Sequence, residues 1–188
     1  FLVHNYFTDS DINFRTQAGL TNERFDRDTK LVTATGLVAS ETNVDQAANT
    51  GVVQTRVKQE DAGFFAQEEV NFQDKFIATV GIRGDKSSNN GDANAYNYYP
   101  KGSLAVNLNE FGFWNEGGTW SQFKLRAAYG EAGNFPPFGA LFTSYGAFST
   151  DGLLGISLRG VRGDKEINSE RQKELEFGTD LGLFNGRL

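Results

Sequence analysis

Two pairs of carboxylates have the residue types for acid–base chemistry: Glu68 with Glu69, and Glu174 with Glu176. Such a pair divides the roles of acid and base only when both groups point into one site. Neighbours on a strand point to opposite faces, so Glu68 and Glu69 cannot act together. Glu174 and Glu176 share a face, and their regular spacing reads as charge on a water-facing wall. His4 is the single histidine. A serine nucleophile would need it as base, and nothing directs a serine and an acid towards it, so it reads as a surface residue near a strand end. Asp85–Asp92, DKSSNNGD, suggests a calcium loop. That loop needs glycine at its sixth position and glutamate at its twelfth, where this chain has Asn90 and Tyr96. A solvated loop is the better reading. No phosphate loop, dinucleotide-binding glycine pattern, nucleophile elbow or HExxH occurs. Without cysteine there is neither a disulfide nor a thiolate metal site. No catalytic residue, metal or cofactor is expected.

The elements that position these side chains alternate with period two. In 12–20, Ile12, Phe14, Thr16, Ala18 and Leu20 oppose Asn13, Arg15, Gln17 and Gly19. In 75–83, Phe76, Ala78, Val80 and Ile82 oppose Ile77, Thr79, Gly81 and Arg83. In 103–109, Leu104, Val106 and Leu108 oppose serine, alanine and asparagines. In 121–130, Phe123, Leu125, Ala127 and Tyr129 oppose Gln122, Lys124, Arg126 and Ala128. In 174–183, Leu175, Phe177, Thr179, Leu181 and Leu183 oppose Glu174, Glu176, Gly178, Asp180 and Gly182. The charged face must be wet and the apolar face dry. Segments of about 9–10 residues match what a tilted strand needs to cross a bilayer; strands of soluble domains are shorter, about 5–6 residues. No run approaches the ~18 apolar residues of a membrane helix, which leaves a strand-built membrane protein open.

Connections alternate in length. The short ones are Asp9-Ser10-Asp11, Gln73-Asp74-Lys75 and Phe184-Asn185-Gly186-Arg187; 110–120 is intermediate; long polar ones are expected at 22–60, 84–98 and 131–170. Short turns at one end and long loops at the other is the layout of an outer-membrane barrel. The composition agrees: 22 Gly, 17 Phe, 6 Tyr, 2 Trp and only 3 Pro in 188 residues. The net charge of −6 and the lack of a basic cluster argue against a nucleic-acid partner. A three-residue turn at 73–75 sets Phe72 opposite Phe76, Val70 opposite Ala78 and Ala66 opposite Ile82, keeping one face apolar. Glu68 then falls on the apolar face. A β-bulge near Phe64-Phe65 would re-aim it, or a neighbouring subunit would cover it. Seven strands and the start of an eighth are counted.

Four segments resemble the barrel of a TonB-dependent outer-membrane transporter of the SusC/RagA type. They are GFFAQEEVNFQDKFIATVGIRGDKSS, YYPKGSLAVNLNEF, FKLRAAYGEAGNFPPFG and INSERQKELEFGTDLGLFNGRL. The first carries Arg83-Gly84-Asp85-Lys86-Ser87-Ser88, one residue longer than the family's Arg-x-Asp-x-Ser-Ser. The last has Ser169 where proline is usual, and relatives usually have an apolar residue at Glu68. The matches cover about 60–188; residues 1–60 fit by strand layout alone. The resemblance implies an antiparallel transmembrane β-barrel of 22 strands, of which this chain would supply about seven to eight, and an N-terminal plug. It also implies energised uptake through TonB of glycans, peptides or other large nutrients, often under a SusD-like surface lipoprotein.

The expectation is therefore that 1–188 forms part of one all-β, antiparallel transmembrane barrel domain in the outer membrane of a Gram-negative cell, with plug domain and TonB box outside this chain. Lipid would meet Phe72, Phe76, Val80, Ile82, Phe123, Leu125, Tyr129, Leu175, Phe177 and Leu181. The lumen would meet Gln67, Glu69, Arg83, Lys124, Arg126, Glu174, Glu176 and Asp180. Partners would be outer-membrane lipids, the TonB complex through the plug region, and a SusD-like lipoprotein. A passive or structural barrel, or a secreted glycan-binding β-sandwich, are the alternatives.

Overall fold

The structure is a computed structural model describing residues 1–7, 11–114, 119–158 and 160–184. Its main body is one antiparallel sheet of seven strands: β1 (Leu2–Phe7), β2 (Ile12–Thr35), β3 (Asn49–Phe72), β4 (Phe76–Ser87), β5 (Asn97–Asn107), β6 (Trp120–Asn134) and β9 (Glu170–Leu183). A separate hairpin, β7 (Tyr145–Thr150) with β8 (Leu153–Leu158), interrupts the connection between β6 and β9. The sheet is open, with β1 and β9 at its edges. No helix among the described residues is long and apolar enough to cross a membrane.

The 73–75 turn has the expected register, with Phe72 opposite Phe76, Val70 opposite Ala78 and Ala66 opposite Ile82. Gln73 and Asp74 adopt φ of 50° and 56° without glycine. Asn71 supports them: its Oδ1 accepts from the Asp74 amide at 2.9 Å and its Nδ2 donates to the Asp74 carboxylate at 2.6 Å. This is the local side-chain bonding that lets asparagine stabilise turns. The connection expected at 9–11 lies mostly outside the described residues, as do 185–187 and the start of an eighth strand.

The strands are longer than their apolar patterns. The loop expected at 22–60 is instead a hairpin: β2 and β3 run 24 residues each and pair continuously from Ile12↔Phe72 to Thr35↔Asn49. Beyond Leu20 its faces hold charges bridged across strands, such as Arg24–Glu60 (3.7 Å) and Arg56–Asp28 (3.3 Å). Backbone pairing does not require an apolar face, and an alternation rule reads only where solvent differs between faces. The 84–98 loop shrinks to 88–96 because β4 reaches Ser87 and β5 begins at Asn97. The 131–170 loop loses residues to β6 and gains the β7–β8 hairpin. β5 stops at Asn107, where Leu108–Glu110 form a 3-10 turn. The register through Phe64 and Phe65 is unbroken on both sides of β3, so the bulge expected there is absent. The register shift lies between Trp120 and Gln122.

The β5–β6 ladder ends at Lys101↔Gly130. Tyr99, 4% exposed, fills the seam above it, and its hydroxyl takes the space that a Cβ on Gly133 would need. Gly133→Val should therefore cost about 1–3 kcal/mol by overpacking. Circular dichroism would read this as a lower temperature for the heat-induced loss of β structure. Gly130→Ala, with nothing within 4 Å of the new Cβ, should leave that temperature unchanged.

Candidate functional site

Residues directly opposite in an antiparallel pair lie on the same face, so the register sorts every strand residue. One face carries Gln67 (opposite Gly81), Glu69 (Thr79), Arg83 (Tyr99), Lys124 (Asp180), Arg126 (Gly178), Glu176 (Ala128) and Glu174 (Gly130). The sequence thus grouped these eight polar candidates on one wall. It missed Lys101 and Gln172, which join Gln67, Ser103, Glu174 and Glu176 around a cleft of about 440 Å³. Lys101 was missed because the strand was started at Ser103, two residues beyond it. On the same face Arg126 lies across Gly178, whose missing side chain admits it, and meets Asp180 at 3.2 Å. Arg83 donates to Asp85 at 2.6 Å. On this wall the cations Lys124 and Arg126 of β6 lie beside the carboxylates Glu174, Glu176 and Asp180 of β9, a surface suited to wet contact with a polar solute. Glu174 and Glu176 belong to that array.

The opposite face is apolar across the sheet. One row runs Ile12, Phe72, Phe76, Val106, Leu125, Thr179; the next runs Phe14, Val70, Ala78, Leu104, Ala127, Phe177. Val80 and Leu175 lie in the third row, with Tyr129 between them; Ile82 lies in the fourth; Phe123 pairs with Leu181. All ten apolar candidates share this face. They are open: Phe177 is 76% exposed and Val80 64%. Among the described residues Tyr99 is the single buried large hydrophobic, and none of the described strands forms a second layer of the seven-stranded sheet. Aromatic residues border the band at both ends. Beside the short turns Phe76 meets Phe111 edge-on and Phe111 stacks on Phe113, with Trp114 against Phe123. Phe64, Tyr96 and Tyr98 cluster at the other end.

Glu68 does sit within this band, opposite Thr16 and Val80. Its carboxylate accepts from the Thr16 hydroxyl at 2.6 Å and from Tyr6 at 3.4 Å. His4, opposite Thr16 on the same face, stacks on Tyr6. The polar group is thus satisfied within the wall rather than re-aimed.

At the long-loop end, residues 85–92 form a knot instead of a solvated loop. Ser87, Asn89 and Asn90 are buried. Asn89 donates to the Gln59 side chain and to the Pro136 carbonyl, both at 3.0 Å. Asn90 accepts from Ser169 at 3.1 Å, and the Gly91 amide donates to Ile167 at 2.6 Å. Several oxygens a calcium reading would claim already have protein partners: Asp85 Oδ2 accepts from Arg83, Ser87 Oγ from the Asn89 amide and Asn90 Oδ1 from Ser169, and among the described residues there is no group of three histidines or carboxylates that could hold a metal. Two residue types hide this packing in the sequence: serine and asparagine in a polar run signal a loop, whether open or packed.

Residues 2–188 match the family model described as TonB dependent receptor-like, beta-barrel. The chain belongs to that family. Among curated relatives it is 32% identical over 129 residues to TonB-dependent receptor P3 of Formosa agariphila, covering 66% of this chain and 13% of the relative. It is 29% identical over 139 residues to TonB-dependent receptor P26 of the same organism, covering 68% and 13%. The chain therefore spans about an eighth of these receptors' length. Among solved structures, the RagAB peptide importer in its open-open state superposes with a TM-score of 0.78 at 17% identity, covering 98% of this chain and 21% of that one. The RagAB peptide transporter gives 0.77 at 17% identity with the same coverage. The open seven-stranded sheet is thus a barrel-type fragment, and its fold is that of the type the four sequence segments resemble.

Asn89→Ala should strip the Gln59 and Pro136 acceptors of their shared donor and loosen the knot by about 1–3 kcal/mol. Limited proteolysis of the full-length receptor should then cut within 84–96 or 160–169 several-fold faster, with the barrel's own unfolding temperature unchanged.

Proposed function

We propose that this chain is part of the barrel wall and outward loops of a TonB-dependent receptor of the SusC/RagA type, which takes up a large nutrient across the outer membrane of a Gram-negative cell. The apolar face meets lipid, and the face of Gln67, Glu69, Arg83, Lys124, Arg126, Glu174, Glu176 and Asp180 meets the water-filled lumen. The long connections at 36–48, 88–96 and 135–169 lie outside the cell.

The observation that carries this reading is the shape of the apolar band. On β2 it comprises Ile12, Phe14, Thr16, Ala18 and Leu20, before Asn22 and Arg24; on β9 it comprises Leu183, Leu181, Thr179, Phe177 and Leu175, before Lys173 and Arg171. Nine residues of strand cover about 30 Å, and at a tilt near 40° this gives roughly 23 Å of height, close to the ~25 Å apolar belt of outer-membrane barrels. The band also slips along the ladder. The row that begins it at Ile12 reaches β9 at Thr179, whereas the β9 band begins at Leu183. Four residues of slip, about 13 Å, over five strand spacings of about 4.8 Å correspond to a slope near 30°. The upper edge, at Leu20 and Leu175, slips the same way. A flat slab crossing tilted strands has this outline, with aromatic girdles at its two edges.

The solute class is peptide or glycan, with peptide supported by the likeness in fold to a RagAB peptide importer and by the mixed charges of the polar wall, which suit a zwitterionic chain. TonB would couple through the plug region outside this chain, and a SusD-like lipoprotein would sit over the outward loops. A passive barrel would share the wall but not the energy requirement. Uptake of a labelled oligopeptide by cells carrying the full-length receptor should vanish when TonB is deleted; uptake that persists without TonB would establish the passive alternative. Phe177→Arg, in the middle of the band, should lower the stability of the membrane-inserted receptor by about 2–4 kcal/mol, whereas Glu176→Arg on the lumen side should change it little. Folded yield in vesicles against urea would read the difference.

A further inference from the structure

The apolar stripe Phe177–Leu175 ends abruptly in two cations on the same face, Lys173 and Arg171. Both are held from behind. Glu131, opposite Lys173 in the ladder, has a side chain only 6% exposed, and its carboxylate meets Arg171 Nη1 at 2.7 Å and Lys173 Nζ at 3.7 Å. The Tyr129 hydroxyl donates to the same carboxylate. The Arg171 guanidinium also lies over the ring of Tyr99, 5.5 Å from its centre. One anion is thus buried behind two cations that remain 43% and 61% exposed. Only part of their donor capacity is used, since arginine carries five N–H donors and lysine three. The outward surface of the cluster is a preorganised pair of positive charges, Lys173 two residues and Arg171 four residues beyond the exposed Leu175. Other cations on this face, such as Arg56 and Lys58, lie far along the β2–β3 hairpin and already face exposed carboxylates.

We propose that Arg171 and Lys173 form a binding site for the phosphate of an outer-leaflet lipid headgroup. Glu131 and Tyr99 fix the cations, while Leu175 and Phe177 receive the acyl chains. The chemistry is that of a charge-assisted contact between a planar guanidinium and a phosphate, strengthened by the low dielectric beside the acyl chains. Basic residues at a membrane surface recognise anionic headgroups in this way. This site rests on the orientation proposed above, with the end of β6 and the start of β9 at the outer leaflet.

The test uses the full-length receptor in phosphatidylcholine nanodiscs, titrated with diphosphorylated lipid A and, separately, with inorganic phosphate, and followed by native mass spectrometry. Arg171→Gln with Lys173→Gln should weaken lipid A retention at least about tenfold, the equivalent of losing one strong contact. Arg56→Gln should leave it unchanged, and inorganic phosphate should not compete at equal concentration. Equal retention by the double variant, an equal loss in Arg56→Gln, or effective competition by free phosphate would each overturn the proposal. Quenching of a tryptophan placed at Phe177 by brominated lipid keeps the two readings apart. If that quenching persists while lipid A binding ignores the double variant, the phosphate site fails and the lipid-facing wall stands; if it is lost, the lipid-facing reading of the wall fails first. Circular dichroism confirms that the double variant folds.

Discussion

The structure depends on a register carried from strand to strand, with one shift, between Trp120 and Gln122 at the turn end of β6. From Ile12 through β3, β4, β5 and β6 to β9, the antiparallel pairs keep the apolar residues on one face, with Thr16, Glu68 and Thr179 as its polar members, and a slip of one residue anywhere would send the remaining strands' apolar side chains to the charged face. The sheet has no core to correct such a slip, because one large hydrophobic residue is buried among those described. What holds the register is the tight turn at 73–75, braced by Asn71, and the backbone ladders themselves. The two faces then follow: one bearing Lys124, Arg126, Glu174, Glu176 and Asp180, the other bearing Phe76, Val80, Leu125 and Phe177.

How far the sequence could be read follows from where the solvent changes. Where one face is apolar and the other charged, period-two alternation located the strands and sorted eighteen candidate residues by face. Past Leu20, Phe64 and Gly84 both faces carry polar and charged residues, alternation vanishes, and the 24-residue arms of β2 and β3 read as loop. Lys101 was lost for a related reason: Tyr98, Tyr99 and Pro100 mask the start of β5, and Tyr99 breaks the simple inside–outside rule by plugging a seam. The buried asparagines at 89 and 90 carry no linear signal at all, since their partners lie at Gln59, Pro136 and Ser169.

Glu68 shows the same limit at one residue. In sequence it is a charge in an apolar stripe, and the local remedies are a bulge or a neighbouring subunit. In the sheet its partners are Thr16 and Tyr6, 52 and 62 positions away, brought alongside by two ladders. A polar row of His4, Thr16 and Glu68 therefore crosses three strands within the band. Buried or lipid-facing polar atoms are tolerated when they find partners, and here the wall supplies them.

The central claim is that consecutive residues of one strand live in different solvents. The most direct measurement places single tryptophans at Thr79 and at Val80 in the full-length receptor, reconstituted in vesicles with lipids brominated along their acyl chains. The account predicts strong quenching at Val80 and little at Thr79, with the reverse order for a water-soluble quencher entering the lumen. Equal quenching at both positions, or quenching at Thr79 alone, would contradict it.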